Sequence, residues 1–305
     1  MATLRRPSWA RDSVVTASSW ASRALRWLVA TTASTSPRAT RTQPPSTITI
    51  LRVDGWPTGP ADRQTGPVST TAEWSSDPIL FAHRGGRAHA PENSLQAFAT
   101  ARSMGATGLE SDVWCTVDGV PVLHHDGRVG SLFRRRPIGD VPHTAIPASV
   151  PTLADLYRTV GPDMQVSLDL KDPAAIHAVL DVARRHRAAG SLWICHPEHA
   201  LLADWRDLDR DLRLVHSTRF DHIVEGPERR AADLAGSGVD AVNLPEPDWS
   251  GGLVTLFQRF GLLCLGWDAQ HPRQIDRLLK LGLDGIYGDH VDRLVDGLAR
   301  RRPVL

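Results

Sequence analysis

"ILFAHRGGRAHAPENSLQAFATARSMGATGLESDVW", residues 79–114, holds one complete strand–helix–strand unit. "ILFA" is a short apolar run of strand type that stops at His83 and Arg84, ahead of two glycines. A helix is expected from Asn93, which serves as its cap while Gln96 reaches back from the third position. Leu95, Phe98 and Ala99 form the buried face, and Gly105 ends the helix. "GLESDVW" then follows as a second strand.

The pattern continues through "VPVLHHD", "MQVSLDLK", "SLWICH", "LRLVHS", "AVNLP", "LLCLGW" and "GIYGD". Amphipathic segments lie between many of these runs. One begins at Pro272, buries Ile275, Leu278 and Leu279, and stops at Gly282. Such alternation from residue 79 onward predicts an α/β fold with a parallel sheet. The choice lies between a closed TIM (β/α)8 barrel, which normally takes about 250 residues, slightly more than follow residue 78, and an open doubly wound sheet, whose dinucleotide-binding form is weakened because no Gly-rich phosphate loop follows the first strand. Nine strand-like runs for eight barrel places imply that one is a hairpin arm or an edge piece. Residues 127–150, with Arg134 to Arg136 and three prolines, read as a small insertion after the third strand.

Residues 1–78 have a different texture. They are rich in Ser, Thr, Arg and Pro, and Asp12 is the only acid before Asp54. That composition predicts a disordered, low-complexity tail, or a stretch upstream of the true start. "ASRALRWLVA" is short, basic and amphipathic, and the Arg- and Ser-rich, acid-poor composition leaves a targeting leader as an alternative, although no convincing apolar core with a small-residue cleavage site is present. The domain reading is therefore a tail over 1–78 and one barrel over 79–305.

Hydrophobic residues make up 41% of the chain, charged residues 23%, and the net charge is +1. Such a balance supplies no field for nucleic acid or an anionic membrane. No apolar run approaches the roughly 18 residues a membrane helix needs, so no stable membrane insertion is expected. Cys115, Cys195 and Cys264 form no CxxC pair and no disulfide framework, which fits a cytoplasmic location. Nothing in the sequence speaks to oligomeric state.

Strand alternation assigns the polar residues. In "LESDVW", Glu110 and Asp112 share a face; in "VSLDLK", Ser167, Asp169 and Lys171 do. The opposite faces are apolar and suit a helix layer, so three carboxylates and one ammonium point into the barrel or its mouth. A plain salt-bridge network leaves negative charge in excess, because one lysine cannot balance three acids. A hard divalent cation resolves this, and Mg²⁺ or Ca²⁺ fits an all-carboxylate set, with Mn²⁺ also admissible. His83 ends the first run and His125 the third. At strand ends beside carboxylates they suggest a general acid and a general base, or else metal ligands. Arg84 adds a planar donor fork suited to phosphate.

At these residues the chain resembles the glycerophosphodiester phosphodiesterase family, relatives of phosphatidylinositol-specific phospholipase C. The matching pieces are "AHRGG", "PENSLQAF", "GLESDVWCTVDGVPVLHHD", "VPTLADLY", "LDLK" and "GLDGIYGD". The resemblance implies a TIM barrel and metal-assisted hydrolysis of a small-molecule glycerophosphodiester to glycerol 3-phosphate and an alcohol. It puts His83 and His125 at catalytic positions, Glu110, Asp112 and Asp169 at metal positions, and Arg84 and Lys171 at phosphate-contacting positions. Glu92, His196 and Trp267 are expected to line the site. Two other readings stay open: a lysophospholipase D acting on lipid-tailed diesters, and a weakened barrel that only binds phosphodiesters. The chain departs from the family pattern at Asp169 for Glu, "WDAQ" at residues 267–270, Gly288 for Thr, and Cys195-His196 for Ser-Phe; Asp169, "WDAQ" and Gly288 keep the binding-only reading open, while apolar mouth residues and the insertion would decide the lysophospholipase D reading. A nucleophilic Cys195 is disfavoured, because Cys195 and His196 must face opposite ways.

Overall fold

The computed structural model describes residues 77–131 and 134–301, so the expectations for the N-terminal tail fall almost wholly outside the described residues. The strands are β1 (Ile79–Ala82), β2 (Gly108–Cys115), β3 (Pro121–Leu123), β4 (Arg128–Val129), β5 (Arg136–Pro137), β6 (Gln165–Leu170), β7 (Leu192–His196), β8 (Arg213–Ser217), β9 (Ala241–Pro245), β10 (Leu263–Trp267) and β11 (Gly285–Gly288). The helices are α1 (Leu95–Ser103), α2 (Leu153–Val160), α3 (Ile176–Arg185), α4 (His199–Trp205), α5 (Pro227–Gly236), α6 (Gly251–Arg259), α7 (Pro272–Leu281) and α8 (Val291–Arg301).

Eight strands pair in parallel in the order β1, β11, β10, β9, β8, β7, β6, β2, and β2 pairs back with β1. The sheet is thus closed, and each barrel strand leads to a helix, as a TIM barrel requires. Two apolar layers result. Phe81, Trp193, Val215, Leu265 and Tyr287 fill the barrel, with Phe81 stacked on Tyr287 at 4.4 Å. Leu80, Leu109, Leu168, Ile194 and Ile286 take the alternate positions and pack under the helices. Burying one such side chain stabilises the fold by about 1.5–3 kcal/mol.

The structure identifies the extra run and corrects one helix cap. "VPVLHHD" is the extra run: its strand β3 pairs antiparallel with Val113–Cys115 of β2, so it is a hairpin arm rather than a barrel strand. The cause is that the pairing of β1 with β2 ends at Leu109, so the same edge of β2 further along is open to β3. The cap of α1 is Ser94, whose side chain accepts the Ala97 N–H, and not Asn93. Asn93 instead has a left-handed φ of 53° and accepts the Ser111 hydroxyl. The expected helix at Pro272 forms as α7 and ends on Gly282 in a left-handed conformation. Within 127–150, β4 pairs with β5, and Val129, Ile138 and Val141 make a small core with Val122. This insertion carries its own apolar support beside the barrel.

Candidate active site

Where β1 ends, residues 84–86 all take positive φ: 50° at Arg84, 79° at Gly85 and 77° at Gly86. Glycine is required at 85 on space as well, because a Cβ there would lie 2.8 Å from the Ala97 Cβ. The tight turn swings the Arg84 N–H onto Glu110 Oε2 at 2.8 Å and leaves His83 at the barrel mouth.

The predicted acids converge. Asp112 and Asp169 are register partners in the β2–β6 pair, and donor oxygens of Glu110, Asp112 and Asp169 lie within 4.8 Å of one another. Asp169, though a methylene shorter than Glu, still reaches the cluster. Lys171 Nζ lies 3.0 Å from Asp112 Oδ1 and 3.1 Å from Asp169 Oδ2. Burial pulls the Lys171 ammonium down, but Asp169 and Asp112 outweigh it and raise its pKa. The Arg84 fork reaches outward to Glu92 (Nη1 to Oε2, 3.0 Å), while its Nε sits 3.6 Å from Asp112 Oδ2.

Two cations therefore face three acids, and Arg84 is shared with a fourth. Glu110 carries the imbalance. Desolvation, followed by the charges of Asp112 and Asp169, pushes its carboxyl up to about 7 against the pull of His83 and the Arg84 N–H. Asp112 Oδ2 is a buried carboxylate oxygen that accepts no hydrogen bond among the described residues. An orphaned carboxylate oxygen inside an uncompensated acidic cluster fits a divalent cation with oxygen ligands.

His83 stands beside this cluster, with Nε2 3.8 Å from Glu110 Oε2. Its Nδ1 donates to Asp289 Oδ1 at 2.6 Å, and Arg87 Nε donates to Asp289 Oδ2 at 2.8 Å. Burial raises the Asp289 carboxyl, but the His83 and Arg87 hydrogen bonds override it and bring it to about 2. Asp289 is therefore ionised and can only accept, so the Nδ1 of His83 carries the proton. Desolvation lowers the His83 pKa, yet Glu110 and then Asp289 raise it overall. The pairing of Asp289 with His83 was not anticipated from the sequence. The available signal was its place two residues beyond the inward-facing Tyr287.

His125 stands on a different element. It follows the hairpin arm β3 rather than a barrel strand, is half exposed, and contacts Asp126 at 2.9 Å. Together with His124, Glu92 and Asn93 it lines a cavity of about 710 Å³. Glu92 links that cavity to the acidic cluster through Arg84.

Trp267 falls on the inward face of β10 at the mouth, with the Arg219 guanidinium 5.1 Å above its ring. His196 does not line the cluster. It faces outward, its ring 5.4 Å from Trp205 of α4 and its Nδ1 accepting the Glu198 N–H. Strand parity turns Cys195 inward instead, where it is buried against Ser167, and desolvation holds its thiol well above the usual range. A buried neutral thiol is no nucleophile.

The departures at "WDAQ" and Gly288 are one feature. Ala269 N donates to Tyr287 O at 3.0 Å, and Gln270 Oε1 accepts the Asp289 N–H at 3.2 Å. The loop after β10 thus folds onto the end of β11, so closely that a Cβ at Gly288 would sit 2.5 Å from Ala269 O.

Residues 83–155 match the Glycerophosphoryl diester phosphodiesterase family. The chain is 30% identical over 260 residues to a probable glycerophosphodiester phosphodiesterase 2 of Mycobacterium tuberculosis, covering 73% of this chain and 91% of that one. A putative glycerophosphoryl diester phosphodiesterase from Silicibacter pomeroyi superposes with TM-score 0.65 at 25% identity, over 73% of this chain and 94% of the other. An Oleispira antarctica phosphodiesterase solved with the product sn-glycerol-3-phosphate superposes with TM-score 0.64 over 73% and 97%; at 19% identity that likeness is one of fold.

Proposed function

The chain belongs to the glycerophosphodiester phosphodiesterase family, and from that premise we propose that it hydrolyses glycerophosphodiesters to glycerol 3-phosphate and an alcohol with divalent-metal assistance and two histidines. One observation carries the reading: Glu110, Asp112 and Asp169 gather at the barrel mouth with His83 beside them. Those three carboxylates would hold Mg²⁺ or Ca²⁺, with Mn²⁺ a further option. When bound, such an ion supplies electrophilic neutralisation of a non-bridging phosphate oxygen.

Arg84 and Lys171 share the charge of the phosphate. Arg84 contributes a planar fork, and Lys171 a point charge held in place by two carboxylates. Because Nδ1 of His83 is committed to Asp289, Nε2 is left with its lone pair and acts as the base on the attacking glycerol hydroxyl or water. His125, on the cavity side, protonates the departing alcohol, and Asp126 orients it. Glu92 steers Arg84, and Trp267 walls the mouth.

The test is release of glycerol 3-phosphate from several glycerophosphodiesters with Mg²⁺, Ca²⁺ and Mn²⁺ added in turn. Turnover that stops with EDTA and returns with a cation is the expected result. No turnover under any cation would sink the reading in favour of a binding-only barrel. Faster turnover of lysophosphatidylcholine than of glycerophosphocholine would replace it with a lysophospholipase D.

A further inference from the structure

A second group of donors converges away from the acidic cluster. Ligand atoms of His89, His290 and Asp292 lie within 4.8 Å of one another. His89 Nε2 is 3.0 Å from Asp292 Oδ1, and the two imidazole rings meet edge to face with centroids 6.2 Å apart. We propose that these three residues form a separate site for a divalent transition metal of the zinc class.

An ordinary surface ion pair accounts for His89 with Asp292 but gives no reason for a second imidazole at the same point. Two nitrogens and one carboxylate oxygen make a borderline-soft donor set that suits Zn²⁺. The carboxylate cluster offers only oxygens and suits hard cations. The two sites should therefore sort their ions by chemistry. Three protein donors leave one position of a tetrahedral set for solvent.

Backbone contacts already hold the donors together. His89 N donates to Gly86 O at 2.9 Å, which fixes it to the turn that carries His83, and Ala88 N donates to Asp289 O at 3.3 Å. His290 and Asp292 sit at the start of α8, next to Asp289. Zn–N bonds of roughly 2.0 Å place tetrahedral donors roughly 3.3 Å apart, so the present separations need a modest contraction. Asp292 is exposed and can supply it by a rotamer change. The positive end of the α8 dipole opposes a cation weakly, and the Asp292 carboxylate offsets it. A bound ion would pin the turn after β1 to α8, the two segments that carry the His83–Asp289 pair.

The experiment is calorimetric titration of Zn²⁺ into the untagged, metal-stripped full chain held in saturating Ca²⁺, with no turnover measured. One equivalent of Zn²⁺ should bind despite the Ca²⁺ and should persist in Asp169→Asn. In His89→Ala and Asp292→Asn its affinity should fall by at least about tenfold, the scale on which even groups behind a ligand act. Co²⁺ should give a nitrogen-ligated visible absorption band in the parent that His89→Ala and His290→Ala lack. Metal-free unfolding midpoints unchanged by these substitutions show that the fold is intact. Zn²⁺ isotherms of His89→Ala and His290→Ala that superimpose on the parent overturn the site. So does a Zn²⁺ signal that Ca²⁺ or Asp169→Asn abolishes.

Discussion

Glu110→Gln isolates the electrostatic tension at the barrel mouth. Glu110 is 6% exposed, and its surroundings move its carboxyl from 4.5 to about 7. Ionising it in the fold therefore costs about 3 kcal/mol more than in the unfolded chain. Since the folded value lies above the unfolded one, the stabilising contribution is complete below about pH 4.5 and is lost as pH rises through about 7. The raised His83 adds in the same direction, because its contribution is present below 6.5 and fades as pH passes its folded value. A glutamine stays neutral at every pH and keeps an acceptor for the Arg84 N–H. In chelator, the parent should thus lose about 3 kcal/mol relative to Glu110→Gln between pH 4.5 and 8. For a domain of this size that is roughly 6–12 °C in unfolding midpoint. Ca²⁺ should close the gap by stabilising the ionised carboxylate, and the variant should respond far less. The assay is thermal unfolding across pH, with EDTA and with Ca²⁺. Parallel pH curves for the two proteins in EDTA would refute the account.

Further outcomes follow from the same geometry. His83→Ala and His125→Ala should each lower kcat by about a hundredfold or more; near-full activity in both would end the acid–base assignment. Asp289→Asn should lower kcat by roughly one to three orders of magnitude with little change in KM, since it frees the wrong tautomer. It should also move the His83 limb of the pH–rate profile to lower pH, because Asp289 helps raise that pKa. Gly288→Ala forces a Cβ against Ala269 O and should cost about 1–3 kcal/mol of stability by thermal unfolding. An unchanged midpoint would mean the loop after β10 moves aside freely.

Much of the site was legible because strand parity is local. Two residues apart in an extended chain means the same face, so Glu110 with Asp112, and Ser167 with Asp169 and Lys171, could be paired before any coordinates. The parallel α/β class was legible for a similar reason, since alternating runs leave few ways to bury a two-faced sheet, whereas closure into a barrel rested on the family resemblance. Local chemistry failed where two residues could play one part. Asn93 and Ser94 are both good caps, and what decided between them was the Ser111 hydroxyl waiting for Asn93 on a strand 18 residues away.

Composition and periodicity by themselves determined that this chain makes strands and helices in alternation, and which side chains share a face. They could not say that His83 meets Asp289 across 206 residues, since only closure of β1 on β11 brings those strand ends together. Nor could they say that the run before His125 folds back on β2, that His196 looks outward, or that Gly288 makes room for Ala269. Each of those depends on which strand neighbours which. Hydrogen bonding between segments far apart in the chain settles that question, and no window of local sequence contains both partners.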